Sequence, residues 1–89
     1  SNKEEAQLRG IASFFNAREK FFKEHKNEEK IMLLQQCGTF YEIYGYEGVE
    51  DDPVYEYPRI MHGAAPWYKA TIGGKRVVCC GHNTSSIDI

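Results

Sequence analysis

Ile31-Met32-Leu33-Leu34-Gln35-Gln36-Cys37-Gly38-Thr39-Phe40-Tyr41-Glu42-Ile43-Tyr44 is the stretch that decides the fold, because it reads as two strands around one turn. Ile31 to Gln36 is an apolar run of strand length. Cys37-Gly38-Thr39 is a turn signal, since glycine adopts positive φ at no steric cost. Phe40 to Tyr44 is an aromatic-rich second strand. Side chains alternate along a strand, so Phe40 and Glu42 project from one face, a flat ring beside a hydrogen-bond acceptor. That pair suits a planar object with a polar edge, such as a nucleobase, and it is also ordinary strand chemistry. In a hairpin Phe40 lies close to the turn, where a ring can reach away from its own core.

Upstream, residues 4–25 read as a helix. Leu8, Ile11, Phe14, Phe15, Phe21 and Phe22 recur at helical spacings and form one broad apolar stripe, the pattern of a core-packing helix. His25-Lys26-Asn27 ends it with cations, which the helix dipole favours. Downstream, Gly45 to Pro58 reads as a loop with two glycines, an acidic cluster and two prolines. Within it Val54, Tyr55 and Tyr57 could make a short irregular strand. Ile60-Met61 is a weak strand or loop, Trp67 to Ile72 a helical turn or loop, and Gly73-Gly74 a tight turn. Lys75 to Cys80 is the third convincing strand, followed by a polar tail from Gly81 to Ile89. The expected fold class is α/β: an N-terminal helix packed on a small mixed β-sheet that contains a hairpin around residues 31–44.

At 89 residues the chain makes one small domain, 1–89, with 42% hydrophobic and 13% aromatic residues, a folded composition. It reads as a fragment of a longer multidomain protein. No apolar run approaches a membrane span and no secretory signal pattern opens it, so a membrane partner is not expected. Cys37, Cys79 and Cys80 are odd in number and lack framework spacing, which points to buried free thiols in a reducing, intracellular compartment. The net charge is −2, unevenly laid out: residues 1–30 are nearly balanced, while residues 40–60 carry Glu42, Glu47, Glu50, Asp51, Asp52 and Glu56 against Arg59 alone. This is not the footprint of a domain that holds nucleic acid by phosphate neutralisation alone.

Other chemistries find little here. Cys79, Cys80 and His82 with Cys37 or His62 could be tried as zinc ligands, but no C-x-x-C pair exists and adjacent strand cysteines face opposite ways. A cysteine nucleophile would need a base within reach, and His25, His62 and His82 are all distant in sequence. There is no P-loop, no G-x-G-x-x-G after a strand and no H-E-x-x-H helix. Trp67, Tyr68, Tyr55 and Tyr57 could form a stacking platform, yet without a basic groove such aromatics usually pack cores and loops.

The segment Ile31–Tyr46, IMLLQQCGTFYEIYGY, resembles the start of the mismatch-recognition domain of MutS-type DNA mismatch repair proteins. In that family an N-terminal helix leads into an apolar strand, then a glycine turn and the F-Y-E tripeptide, in the order found here. Pro58-Arg59-Ile60-Met61-His62-Gly63-Ala64-Ala65-Pro66-Trp67 and Gly74 to Cys79 look like two later family segments. The resemblance implies that Phe40 wedges into a duplex and stacks on a mispaired or unpaired base while Glu42 hydrogen-bonds it. Gly38, Thr39 and Tyr41 would frame the contact.

The same resemblance implies mismatched double-stranded DNA as partner, further MutS domains in cis, and a dimer partner engaged through regions outside this stretch. No cofactor and no catalytic residue are expected in this domain. ATP and magnesium would belong to a separate ATPase region. Three departures stand out. Thr39 replaces the usual acid, an acidic loop at Glu47–Pro58 replaces the helix after F-Y-E, and the helix before the last strand is curtailed. The competing expectation is a protein-interaction domain of the same fold that does not read DNA.

Overall fold

The computed structural model describes residues 1–26 and 31–86. Helix α1 spans Asn2–Glu24. Strands β1 (Gln35–Cys37) and β2 (Phe40–Tyr46) form the hairpin. Helix α2 (Pro53–Met61), β3 (Trp67–Ile72) and β4 (Lys75–Asn83) follow, with a short 3-10 turn at Thr84–Ser86. The four strands lie in the order β1-β2-β4-β3. Every pairing is antiparallel, so the expected mixed sheet is corrected to a purely antiparallel one. The physical reason is that both hairpin turns are tight and β4 returns beside β2, leaving no parallel crossover.

Burial explains the two-sided packing. Val77, Val78, Cys79 and Cys80 are all buried in sequence, as a strand covered on both faces must be. On one face Phe14 of α1 meets Tyr44 edge-on at 5.1 Å, and Phe15 stacks on Tyr46 at 4.3 Å. On the other, α2 presents Val54 and Tyr57, also buried. Each fully buried aliphatic or aromatic side chain of this kind contributes about 1.5–3 kcal/mol. The α1 stripe is shorter than expected, because Leu8 is 42% exposed and only Ile11 and Phe14 are fully buried. Asn27, in the expected helix stop, and residues 87–89 of the polar tail lie outside the described residues.

Helix α2 overturns the expectation of a loop over Gly45–Pro58 and of strand character at Val54–Tyr57 and Ile60-Met61. Asp52 caps it by accepting from the Val54 N–H at 3.0 Å, and Pro53 occupies the first turn, where a missing N–H costs nothing. Pro58 sits inside the helix and cannot donate to the Val54 carbonyl four residues back. The Cys80 thiol takes that place, 3.5 Å from the Val54 oxygen. His62 closes the helix in the left-handed conformation, φ 53°.

Asp52 also joins three elements. It is 4% exposed, accepts from the Tyr46 N–H at 3.0 Å, and receives the Arg18 guanidinium at 2.9 and 3.0 Å. Thus α1, β2 and α2 converge on one carboxylate. Gly45 makes the approach possible: a Cβ there would stand 2.2 Å from Asp52 Oδ1 and 2.4 Å from Val54 Cγ1. Nothing larger than hydrogen fits.

Strand assignments differ at two further places. Ile31–Leu34 are half-buried and Met32, Leu33 and Leu34 pack against the core, but the ladder begins only at Gln35. Trp67–Ile72, expected as a helical turn or loop, is β3, paired with β4 across the Gly73-Gly74 turn. Both glycines have positive φ, 57° and 77°, the demand of a two-residue hairpin turn with matching twist.

Candidate nucleic-acid interface

The hairpin tip is Gly38-Thr39. Gly38 takes φ 61°, and the Cys37↔Phe40 pair closes the ladder immediately behind it. Thr39 is exposed, and its carbonyl accepts the Thr84 N–H at 2.7 Å, fastening the tip to the segment after β4. Phe40 pairs with Cys37 on one side and Asn83 on the other. Its backbone is therefore held while its ring remains 48% exposed.

Glu42 follows on the same face, opposite Gln35 and Gly81. Gly81 carries no side chain, and a Cβ there would come within 3.0 Å of the Tyr41 carbonyl and 3.5 Å of Glu42 Cγ. The floor beside the carboxylate therefore stays open. Two residues further, Tyr44 is buried with its hydroxyl donating to Glu42 Oε2. Burial, reinforced by that carboxylate, pushes the Tyr44 hydroxyl far above its ordinary range, so it stays protonated and remains a donor. One carboxylate oxygen is thereby engaged, and the other has no hydrogen-bond partner among the described residues.

The sequence-predicted residues separate by face. Phe40 and Glu42 stand together, with Gly38 and Thr39 at the tip beside them. Tyr41 lies on the opposite face, cross-strand from His82, whose Nδ1 is 3.0 Å from the Tyr57 hydroxyl. Sequence reasoning missed Tyr44 and Asn83 as neighbours of the pair. The same two-residue alternation that joined Phe40 to Glu42 also extends to Tyr44.

The acids of the middle segment are kept away from this tip. Glu47, Glu50 and Asp51 are exposed beyond Tyr46, at the other end of β2 from Phe40. Six strand steps separate those ends by about 20 Å. Glu47 is further engaged by Arg76 at 2.8 Å. Those three acids therefore stand away from the tip.

The cysteines sit apart. Cys37 is exposed, which corrects the expectation that all three thiols are buried. Cys79 faces α1 beside Tyr44, and Cys80 faces α2. Burial pushes each of these two thiols up to about 11, away from thiolate chemistry. Among the described residues, no three His, Cys, Asp or Glu side chains converge to hold a metal ion. No described helix is long and apolar enough to cross a membrane. No family model, curated protein or solved structure matches this chain.

Proposed function

We propose that this chain is a DNA-binding module of the MutS mismatch-recognition type, selecting mispaired or unpaired bases in a duplex. The observation that carries this reading is Phe40, half exposed at a pinned hairpin tip, with Glu42 on the same strand face. A mismatch already stacks and pairs poorly, so a wedge unstacks it at less cost than a matched step. The ring then recovers about 1–3 kcal/mol of base stacking. The carboxylate repels phosphate unless a base donor satisfies it, which disfavours matched duplex and sharpens selection. No catalytic group is assigned to this domain, and ATP-driven steps would belong to other regions.

The test is a titration of matched duplex and of duplex carrying one unpaired thymine against the native chain and Phe40→Ala. Loss of the preference in Phe40→Ala, with matched binding retained, is the expected result. An undiminished preference removes the wedge. Binding of neither duplex by the native chain would favour the protein-interaction alternative.

A further inference from the structure

Phe40 has a cross-strand neighbour whose hydrogen-bonding state the fold fixes. Asn83 faces it on the outermost rung of the β2–β4 ladder. Residues directly opposite in an antiparallel pair share a face, with Cβ atoms about 5 Å apart. Glu42 lies two residues along the strand, about 7 Å from Phe40. Helix α1 sets its rings on Tyr44 and Tyr46, and it approaches the hairpin on the β1 side, where a Cβ on Gly10 would stand 4.0 Å from Gln35 Nε2. Asn83 is on the other side of Phe40, on β4. Its rung is about 13 Å beyond Tyr44, and Phe40 is 48% exposed there.

The orientation of the Asn83 carboxamide follows from its neighbours. The Ser85 backbone N–H lies 3.0 Å from one terminal atom of the amide, and the Ser85 hydroxyl 2.8 Å from the same atom. A backbone N–H only donates, so that atom is the oxygen. The NH2 group takes the other position, and no acceptor among the described residues receives its hydrogens. No described side-chain nitrogen is buried without a partner, so this one reaches solvent. The ring at the tip thus stands between an acceptor along the strand, Glu42, and a donor across it, Asn83.

Proteins that wedge an apolar side chain between base steps enter through the minor groove. There an A·T pair presents only acceptors, adenine N3 and thymine O2, whereas a G·C pair adds the guanine amino donor. An amide donor beside the wedge therefore meets a partner at A·T and a second donor at G·C. Successive base pairs are about 3.4 Å apart, so a side chain about 5 Å from the wedge reaches the adjoining pair.

We propose that Asn83 is a second base-contacting residue at this tip: its amide donates to a minor-groove acceptor of the pair beside the lesion, so that unpaired bases flanked by A·T are favoured over those flanked by G·C. The proposal rests on the mismatch-recognition reading and adds a flanking-sequence preference to it. Flanking sequence also changes the cost of deforming the duplex. That cost is common to the native chain and its variants, so the informative quantity is the change in flank ratio between them.

The experiment titrates duplexes carrying one unpaired thymine between A·T pairs or between G·C pairs, and a fully paired duplex, into the native chain, Asn83→Ser, Asn83→Asp and Phe40→Ala, followed by NMR shift changes. Serine keeps an acceptor for the Ser85 N–H but has no amide. Aspartate keeps that acceptor and sets a second one where the NH2 group stood. The A·T-to-G·C affinity ratio should fall about two- to tenfold in Asn83→Ser, the worth of one hydrogen bond. It should fall further in Asn83→Asp, whose free oxygen accepts from the guanine amino group. The added charge weakens both duplexes alike and leaves their ratio. A residue that only caps the Thr84–Ser86 turn would move thermal unfolding and not this ratio. Where Asn83→Ser fails to fold, Asn83→Asp carries the test.

An unchanged ratio overturns the Asn83 assignment, even where Phe40→Ala abolishes the preference for the unpaired base. An undiminished preference in Phe40→Ala overturns the underlying reading instead, and absence of binding to every duplex overturns both.

Discussion

The Tyr44 hydroxyl donates to the carboxylate of Glu42, its neighbour two residues back on the same face of β2. Tyr44 is itself wedged edge-on against Phe14 of α1. The acid that stands beside Phe40 is therefore oriented by a residue anchored in the core. A carboxylate on a free side chain would sample many rotamers, and this one is held through a buried ring.

Tyr44→Phe retains the ring and its packing but removes the donor. It should cost about 1 kcal/mol of stability, the net value of one hydrogen bond. It should also reduce the ratio of heteroduplex to homoduplex affinity while leaving the salt slope unchanged. Paired denaturation and binding titrations check both. An unaltered ratio would mean that Tyr44 serves packing alone.

Asp52 and Arg18 form a pair whose side chains are 1% and 13% exposed. Asp52→Ala should destabilise by about 3–5 kcal/mol, since it leaves a largely buried guanidinium without its partner. It also removes the acceptor for the Tyr46 and Val54 N–H groups. Arg18→Met combined with Asp52→Ala should cost less than the two single changes added together. Urea unfolding of the four proteins closes the cycle, and strict additivity would show that the contact carries no coupling.

Alkaline pH should loosen the core. Cys79 and Cys80 rise from 9.0 to about 11 through burial. Between those values the unfolded chain has lost thiol protons that the folded chain keeps, so stability is full below pH 9 and declines as pH rises toward 11. Cys80→Ser keeps a donor for the Val54 carbonyl, whereas Cys80→Val orphans it. At pH 7 the valine variant should therefore be the less stable of the two by about 1–3 kcal/mol, the cost of an unsatisfied buried acceptor. Urea titrations across the range measure both effects.

The hairpin, α1 and β4 were legible because their signals are local: a glycine turn, alternating aromatics, helical spacing. Helix α2 was not, although Asp52-Pro53 is a sound helix start. Pro58 and the acidic run outweighed it, and what tolerates Pro58 is a thiol from β4, a tertiary partner invisible in the local pattern. β3 was missed because the bulge at Lys69 breaks the two-residue period within a six-residue strand. Near the tip, the shared face of Phe40 and Glu42 followed from alternation. The Tyr44 bond depended on packing, which the period alone does not encode.

The bond from the Thr84 N–H to the Thr39 carbonyl has a consequence for how the tip is made. Synthesis runs from the N-terminus, and the β1–β2 hairpin can close as soon as its own residues have emerged. The strand that pins Phe40, however, ends at Asn83, and the clasp on the turn comes from the residue after it. Until then the tip is held on one side by a three-residue strand. The hairpin tip is thus the last part of the sheet to be fastened. Removing Asn83 and Thr84 would release Phe40 while the Tyr44–Cys79 rung, deeper in the same ladder, still held.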